Sequence, residues 1–370
     1  AGVLPLSATV LSATVLSATV LSLLAPSSAH AAEADLEAAT TFLLESQGAY
    51  GSWGVLPPRD TGKVLHALRA RGEDPDPDGL QAAWLAGAQP VALDLRLRVW
   101  QGLAQLDQTP EEALTLLESA QNPDGGYSFY GAGAPSSLQE TVLALQLMYT
   151  AGYSDVAQVS AALTFVKGKV QSGGGYGYED NDPSIAVTVE VIQAYQLWRS
   201  VFSLESQISA GVGWLATQQQ SDGTFGTGPH KTLDTAMSLS VSGGESGLSI
   251  SAWSLGAATL ASSQEPAGSS PCAGSWDCEP YTTAWSLLAL EKVKPDLVVE
   301  SLGFTTSGPV LESSSVTVQA VVRNQGFSAS ASGALVGVVV KDPTTGTTTA
   351  IGQALLSGIQ PGNTQTLTVS

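Results

Sequence analysis

One short motif recurs along this chain at a near-constant period, and it constrains the fold more than any other feature. Five segments carry a glutamine, a glycine-containing turn and an aromatic residue: Gln47…Gly51-Ser52-Trp53, Gln121…Gly125-Gly126-Tyr127, Gln171…Gly174-Gly175-Tyr176, Gln219…Gly223-Thr224-Phe225 and Gln264…Gly274-Ser275-Trp276. Gln to aromatic spans six residues in three of them, five in the Gln171 copy, and twelve in the last, where an insertion carries Cys272. A threonine follows each turn, with mostly apolar residues at +3, +4 and +7: Thr61 (Val64, Leu65, Leu68), Thr141 (Ala144, Leu145, Met148), Thr188 (Val191, Ile192, Tyr195) and Thr283 (Ser286, Leu287, Leu290). Thr235 keeps only Leu239 of this set. Such offsets make the buried stripe of a helix, not of a strand. A degenerate sixth copy sits at Arg96, with Val99, Trp100 and Leu103 and no glycine turn.

The anchors fall at 61, 96, 141, 188, 235 and 283, separated by 35, 45, 47, 47 and 48 residues. Each anchored helix follows another apolar one, for example Leu36–Ser46, Ala113–Ala120, Val156–Val170 and Ile208–Gln219. A period of this size is one supersecondary unit that buries its apolar face on its neighbours. The pattern predicts six helix pairs between about residues 33 and 292.

Gln47-x3-Gly51-x-Trp53 resembles the Q-x-x-x-G-x-W repeat of triterpene cyclases. Gln219 through Phe225, followed by Asp234-Thr235-Ala236, is similar to the prenyltransferase and squalene-oxidase repeat. The resemblance covers roughly residues 36–292 and implies an α6/α6 toroid: six inner parallel helices, six outer ones and a central cavity. Toroids of this kind serve terpenoid cyclases, protein prenyltransferase β subunits, complement-like thioester domains and cobalamin carriers, so the fold leaves the function open.

Parallel inner helices would gather their N-termini at one mouth, where the dipoles sum. Asp60, Glu140 and Asp234, each just before an anchor, and Thr235 are the ligand-mouth candidates there. Asp and Thr at a helix start also serve as caps, and capping is the favoured reading. Squalene-type cyclases protonate an alkene from D-x-D-D-T-A. On that register Lys231 and Leu233 replace the first and the proton-donating Asp, which leaves Asp234 as the one catalytic candidate. A lone carboxylic acid is too weak for an unactivated alkene. The Asp, Cys and later His of prenyltransferase zinc sites have no counterpart, since Asp277 and Cys278 are adjacent and no His follows His230. The G-C-G-E-Q thioester string is missing as well, so no metal and no cofactor is expected. Asp74, Asp76 and Asp78 imitate a calcium loop whose twelfth place is Leu85 rather than Glu, and they read as an inter-helix turn. Glu179-Asp180-Asn181-Asp182 reads as a solvated loop, His66 as a hydrogen-bonded wall residue, and Gly173-Gly174-Gly175 as a turn without phosphate-loop partners. The repeat aromatics, with Trp100, Trp198, Trp253 and Trp285, read as core packing, and an aromatic-lined cavity is the alternative. Cys272 and Cys278, with acidic Asp277 and Glu279 beside them, suit a local disulfide better than a reactive thiol pair.

Residues 3–25 are uncharged and contain three tandem copies of Ser-Ala-Thr-Val-Leu, and Ala29-His30-Ala31 then forms an A-x-A signature. That is the pattern of a secretory signal entered part-way, with the mature chain starting near Ala32. From Pro295 the pattern changes to period-2 alternation, seen in Val316, Val318, Ala320 and Val322. Pro295 to Val299, Val322 to Gly326 and Gln360 to Thr364 resemble the CARDB domain, an adhesion-related immunoglobulin-like sandwich. About six strands precede Ser370 where seven are usual, which reads as truncation. The expected organisation is thus a signal over 1–31, an all-α toroid over 32–294 and an all-β sandwich over 295–370.

A net charge of −19 excludes nucleic acid and anionic membrane surfaces as partners. Membrane contact is expected only through the N-terminal segment, if uncleaved. Only 13% of residues are charged, which with the signal favours a secreted, cell-surface or periplasmic protein. The sequence favours a binding or interaction protein, with a small apolar ligand or an envelope or extracellular protein as partner. A terpenoid cyclase- or prenyltransferase-like enzyme acting on a polyprenyl substrate is the alternative, and a small-molecule carrier similar to the cobalamin-binding toroids is the second.

Overall fold

The computed structural model describes residues 18–21, 34–88, 90–178, 181–243, 245–266, 271–291, 297–305, 317–324, 335–341, 348–359 and 363–369. The cleavage signature at 29–31, Glu179, Asp180, Pro295, Val316 and Gln360 to Gly362 lie outside them. The chain forms two compact units: residues 30–293, and residues 1–29 together with 294–370.

The first unit holds twelve α-helices: α1 (Leu36–Glu45), α2 (Pro57–Ala70), α3 (Leu80–Gly87), α4 (Leu93–Gln105), α5 (Glu111–Ala120), α6 (Leu138–Thr150), α7 (Val156–Lys167), α8 (Ile185–Trp198), α9 (Glu205–Thr217), α10 (Lys231–Ser242), α11 (Ile250–Ser262) and α12 (Pro280–Leu290). Local chemistry starts them. Asp35, Ser137, Asp155, Ser184, Ser249 and Glu279 cap through their side chains, and Pro57 and Pro280 open helices where no N–H is needed. The six anchors all fall on even-numbered helices. These pack in sequence, α2 on α4, α4 on α6, α6 on α8, α8 on α10 and α10 on α12, and α12 returns onto α2. That closure makes an inner ring, and the odd-numbered helices pack outside it. No helix among the described residues is long and apolar enough to cross a membrane.

The repeat motif is the latch of each pair. The backbone N–H of the repeat aromatic donates to the anchor threonine in all five copies: Trp53 to Thr61 Oγ1 at 3.0 Å, Tyr127 to Thr141 at 2.9 Å, Tyr176 to Thr188 at 2.9 Å, Phe225 to Thr235 at 2.8 Å and Trp276 to Thr283 at 3.0 Å. The aromatic rings are buried, and three return a polar atom to the preceding outer helix: Trp53 Nε1 to the Leu43 carbonyl, Tyr127 Oη to Leu117 and Trp276 Nε1 to Leu260. The motif glycine has φ near +90° in each turn, and a Cβ on it would strike the backbone of the next outer helix. At Gly125 that Cβ would lie 2.4 Å from the Ala161 carbonyl oxygen. In three copies the motif glutamine spans the same seam, Gln121 Nε2 donating to the Gln158 carbonyl, Gln219 Nε2 to that of Ala252 and Gln264 Nε2 to that of Asp35. The last bond joins the turn after α11 to the N-cap of α1, so one motif both builds the repeats and closes the outer layer.

Among the described residues the second unit has six strands, β1 (Ala18–Leu21), β2 (Leu297–Thr305), β3 (Thr317–Asn324), β4 (Leu335–Lys341), β5 (Thr348–Leu355) and β6 (Thr364–Val369). They form two three-stranded antiparallel sheets, ordered β1-β4-β5 and β2-β3-β6. β1 comes from the pentapeptide repeats. Alternation in β3 buries Val318, Ala320 and Val322, and Val322 packs with Leu356, Ile359 and Leu367.

Candidate functional site

The residues expected at the mouth divide once placed. Asp60 is fully buried under Gly54, and its Oδ2 accepts the Leu56 N–H at 2.8 Å, so it caps the start of α2. Arg59 Nε reaches its other oxygen at 2.6 Å. Glu140 is buried, and Thr235 is the latch just described; neither opens on a mouth. The capping expectation fails for Asp234. α10 begins at His230 without a side-chain cap, and the half-buried Asp234 carboxyl packs against Gly226 and is pushed up to about 6 by burial, the His230 charge opposing. Asp76 joins its two oxygens to the N–H groups of Gln81 and Ala82, an inter-helix turn as expected. Cys272 and Cys278 are paired, with Cα atoms 4.8 Å apart.

The chemistry gathers elsewhere, on the face of the inner helices turned to the ring axis. On α2 the residues that keep accessible surface include Arg59, Lys63 and His66, on the face away from buried Val64, Leu65 and Leu68. Relative to the anchor these are positions −2, +2 and +5. The same offsets give Asp94, Arg98 and Gln101 on α4, Ala186, Glu190 and Gln193 on α8, and Tyr281, Trp285 and Leu288 on α12. α2 and α8 are opposite members of the ring, yet Glu190 acts electrostatically on both Lys63 and Arg59. An interaction between opposite helices of a ring acts across its axis. Gln101 Nε2 donates to the Leu143 carbonyl and Gln146 Nε2 to that of Glu190, so a +5 amide bonds the +2 carbonyl of the next inner helix. Two successive links in one register show these neighbours running parallel.

Two aromatic faces on α12 carry positive charge. The Arg59 guanidinium lies 3.9 Å from the Tyr281 ring centre, and Lys63 Nζ lies 3.6 Å from that of Trp285. Arg98 bonds Asp94 at 3.1 Å; burial works against its charge, but Glu190 and Asp94 outweigh it and hold its pKa above the ordinary value. Burial raises Glu190 above its ordinary value, with Arg98 and then Lys63 pulling it back. Burial pushes Tyr281 and Tyr178 up to about 12. His66 stands one turn from Lys63. Burial, Lys63 and Arg69 bring it down to about 4, so it is neutral at pH 7, and no hydrogen bond among the described residues holds its ring, contrary to expectation.

Against known proteins, no family model matches the chain, and no curated protein matches its sequence. Solved structures do share the fold. A protein from Actinoplanes superposes with a TM-score of 0.53, covering 69% of this chain and 97% of its own, at 16% identity. The ent-copalyl diphosphate synthase from Streptomyces platensis gives 0.50 over 63% of this chain and 50% of its own, at 18% identity. The type II terpene cyclase MstE from Scytonema, as an arginine-to-alanine variant with geranylgeranyl dihydroxybenzoate bound, gives 0.50 over 69% and 95%, at 15% identity. The fold is the α/α toroid of the terpene cyclases. At these identities the likeness establishes fold alone.

Lys63, Arg98 and Glu190 were not among the residues expected from sequence. Their signal was nonetheless present, since each lies two residues after an anchor. Reading only the buried stripe at +3, +4 and +7 passes over the +2 positions, which face the axis.

Proposed function

We propose that the toroid is a terpene-cyclase-like enzyme that takes a polyprenyl substrate along the ring axis. One observation carries the reading: Tyr281 and Trp285 already hold cations against their ring faces inside the ring. The same faces stabilise a carbocation that develops along a prenyl chain, because the ring quadrupole attracts any positive charge. Reaction by protonating an alkene is disfavoured, since Leu233 and Lys231 stand where that chemistry needs carboxyls and Asp234 is a weak acid. The donors present suit an allylic substrate that starts by losing an oxygen-bound anionic head. Arg59 and Arg98 receive the anion, and Glu190, whose pKa burial raises above its ordinary value, is the acid that meets the departing oxygen.

Incubation of the full chain with geranylgeranyl diphosphate, followed by gas chromatography of the extract and assay of released diphosphate, tests this. A hydrocarbon or alcohol product that disappears in Glu190→Gln supports it. No release above the no-enzyme control overturns it. The binding reading preferred from sequence becomes the second, and rests on Leu233 and the lone Asp234: the same lipid is then retained unchanged in native mass spectra. For the β unit we propose an immunoglobulin-type adhesion module on a secreted or cell-surface protein, beginning near residue 295. Fractionation of a host expressing the chain, blotted for mature protein starting near Ala32, tests the location.

A further inference from the structure

Five of the six junctions between neighbouring helix pairs are crossed by the chain itself. The sixth, between α11–α12 and α1–α2, brings together the two ends of the helical unit, and no loop spans it. The motif copy at this closing junction is also the one that departs most from the others, with twelve residues from Gln264 to Trp276 where they have five or six. Its turn nonetheless makes two contacts across the junction. Gln264 bonds the Asp35 backbone twice, Oε1 accepting the N–H at 2.7 Å and Nε2 donating to the carbonyl at 2.8 Å. Gly274 lies so close to α1 that a Cβ on it would stand 2.5 Å from the Ala38 carbonyl carbon. A long turn loses more conformational entropy than a short one when it is held in such a place.

The bond between Cys272 and Cys278 offsets that loss. It encloses Gly274 and Trp276, and it ends one residue before Glu279, whose side chain caps α12. Within the enclosed loop the Ser275 N–H and Oγ both donate to the Cys272 carbonyl, at 3.0 and 2.6 Å, and the Trp276 N–H is latched to Thr283. Asp277 and Cys278 both take left-handed backbone, with φ of 56° and 54°, a conformation that non-glycine residues leave unless they are held. Cys278 is exposed, so the bond is open to exchange with solution thiols. We propose that this disulfide is a redox clasp on the ring: its formation docks the α11–α12 turn onto α1, and its reduction releases that turn. In the closing step two S–H bonds break and one S–S bond forms. Two electrons and two protons pass to a disulfide-bearing oxidant, which leaves as its dithiol. Because α12 carries Tyr281 and Trp285, closure also sets their faces against Arg59 and Lys63 of α2. Such a clasp acts on the ring whichever ligand the axis takes.

Hydrogen–deuterium exchange of the full chain tests the clasp in three states: oxidised, reduced by dithiothreitol without denaturant, and as the double variant Cys272→Ser, Cys278→Ser. Local opening of one junction should appear as faster exchange confined to the segments that meet there. The amides of α1 and of residues 273–283 should exchange at least fivefold faster on reduction, and that acceleration should exceed the one in α6 and α7 at least fivefold. Removal of the reductant under a disulfide oxidant should restore the slow exchange, and the double variant should match the reduced chain. If the double variant does not fold, reversible reduction of the folded chain decides alone. A smaller effect on α1 overturns the inference. So does an equal acceleration in α6 and α7, which would make the bond a stabiliser of the whole unit instead of a clasp on one junction. Either failure leaves the proposed reaction standing, since that is read from product formation.

Discussion

Replacing Thr141 by Val removes a single oxygen at almost constant shape, and the structure allows the cost to be worked out. Thr141 Oγ1 accepts the Tyr127 N–H at 2.9 Å and donates to the Ser137 carbonyl at 2.6 Å, and both Thr141 and Tyr127 are fully buried. Ser137 can keep its carbonyl satisfied through the Thr141 backbone N–H, which already bonds it at 3.3 Å. The Tyr127 N–H has no such substitute, and a buried donor left without an acceptor costs ~1–3 kcal/mol. About 2 kcal/mol is therefore expected, which in a unit of this size lowers the melting temperature by ~4–8 °C. Thr141→Ser keeps the hydroxyl and should lose less than half as much. Far-ultraviolet circular dichroism of the full chain under heating and in urea measures both. If Thr141→Val came within about 0.5 kcal/mol of wild type, the latch account of the repeat would be refuted.

Three further outcomes are expected. Gly125→Ala should destabilise by ~2–4 kcal/mol, since φ of +86° disfavours a side chain and the new Cβ would lie 2.4 Å from the Ala161 carbonyl oxygen; a loss under 1 kcal/mol in urea denaturation contradicts the close approach. Because burial raises the folded pKa of Asp234 to about 6, above its unfolded value of 3.8, the folded state holds that proton more tightly and stability falls as pH rises from about 4 to about 6. Asp234→Asn should therefore gain on the wild type between pH 4 and pH 7 in parallel denaturant titrations, and a gap that narrows over that range would show the carboxylate to be favourably held. Intact mass of the chain expressed into an oxidising compartment should show Cys272 and Cys278 alkylated only after reduction; two thiols reactive without reductant would rule out the pairing.

The residues of the repeat explain why so much of the helical unit is legible in the sequence. Glycine, aromatic, threonine and the apolar stripe act within some thirty residues of one another, so their spacing is set by local geometry: a turn with positive φ, then a helix of period 3.6. Six inner helices follow from that pattern, and even the Arg96 copy without its glycine turn takes its place in the ring as α4. The caps were less legible. Asp60 and Asp234 occupy the same position relative to an anchor, but only Asp60 meets a free N–H, because α2 opens with two prolines and a turn that brings Leu56 to it, whereas α10 starts from His230. The composition of the ring axis belongs to tertiary structure alone. Lys63, Glu190 and Trp285 come from helices far apart in the chain; the repeat register marks each as a +2 position, but not which of them meet. Their charges act on one another only because closing α12 onto α2 brings opposite helices around one axis.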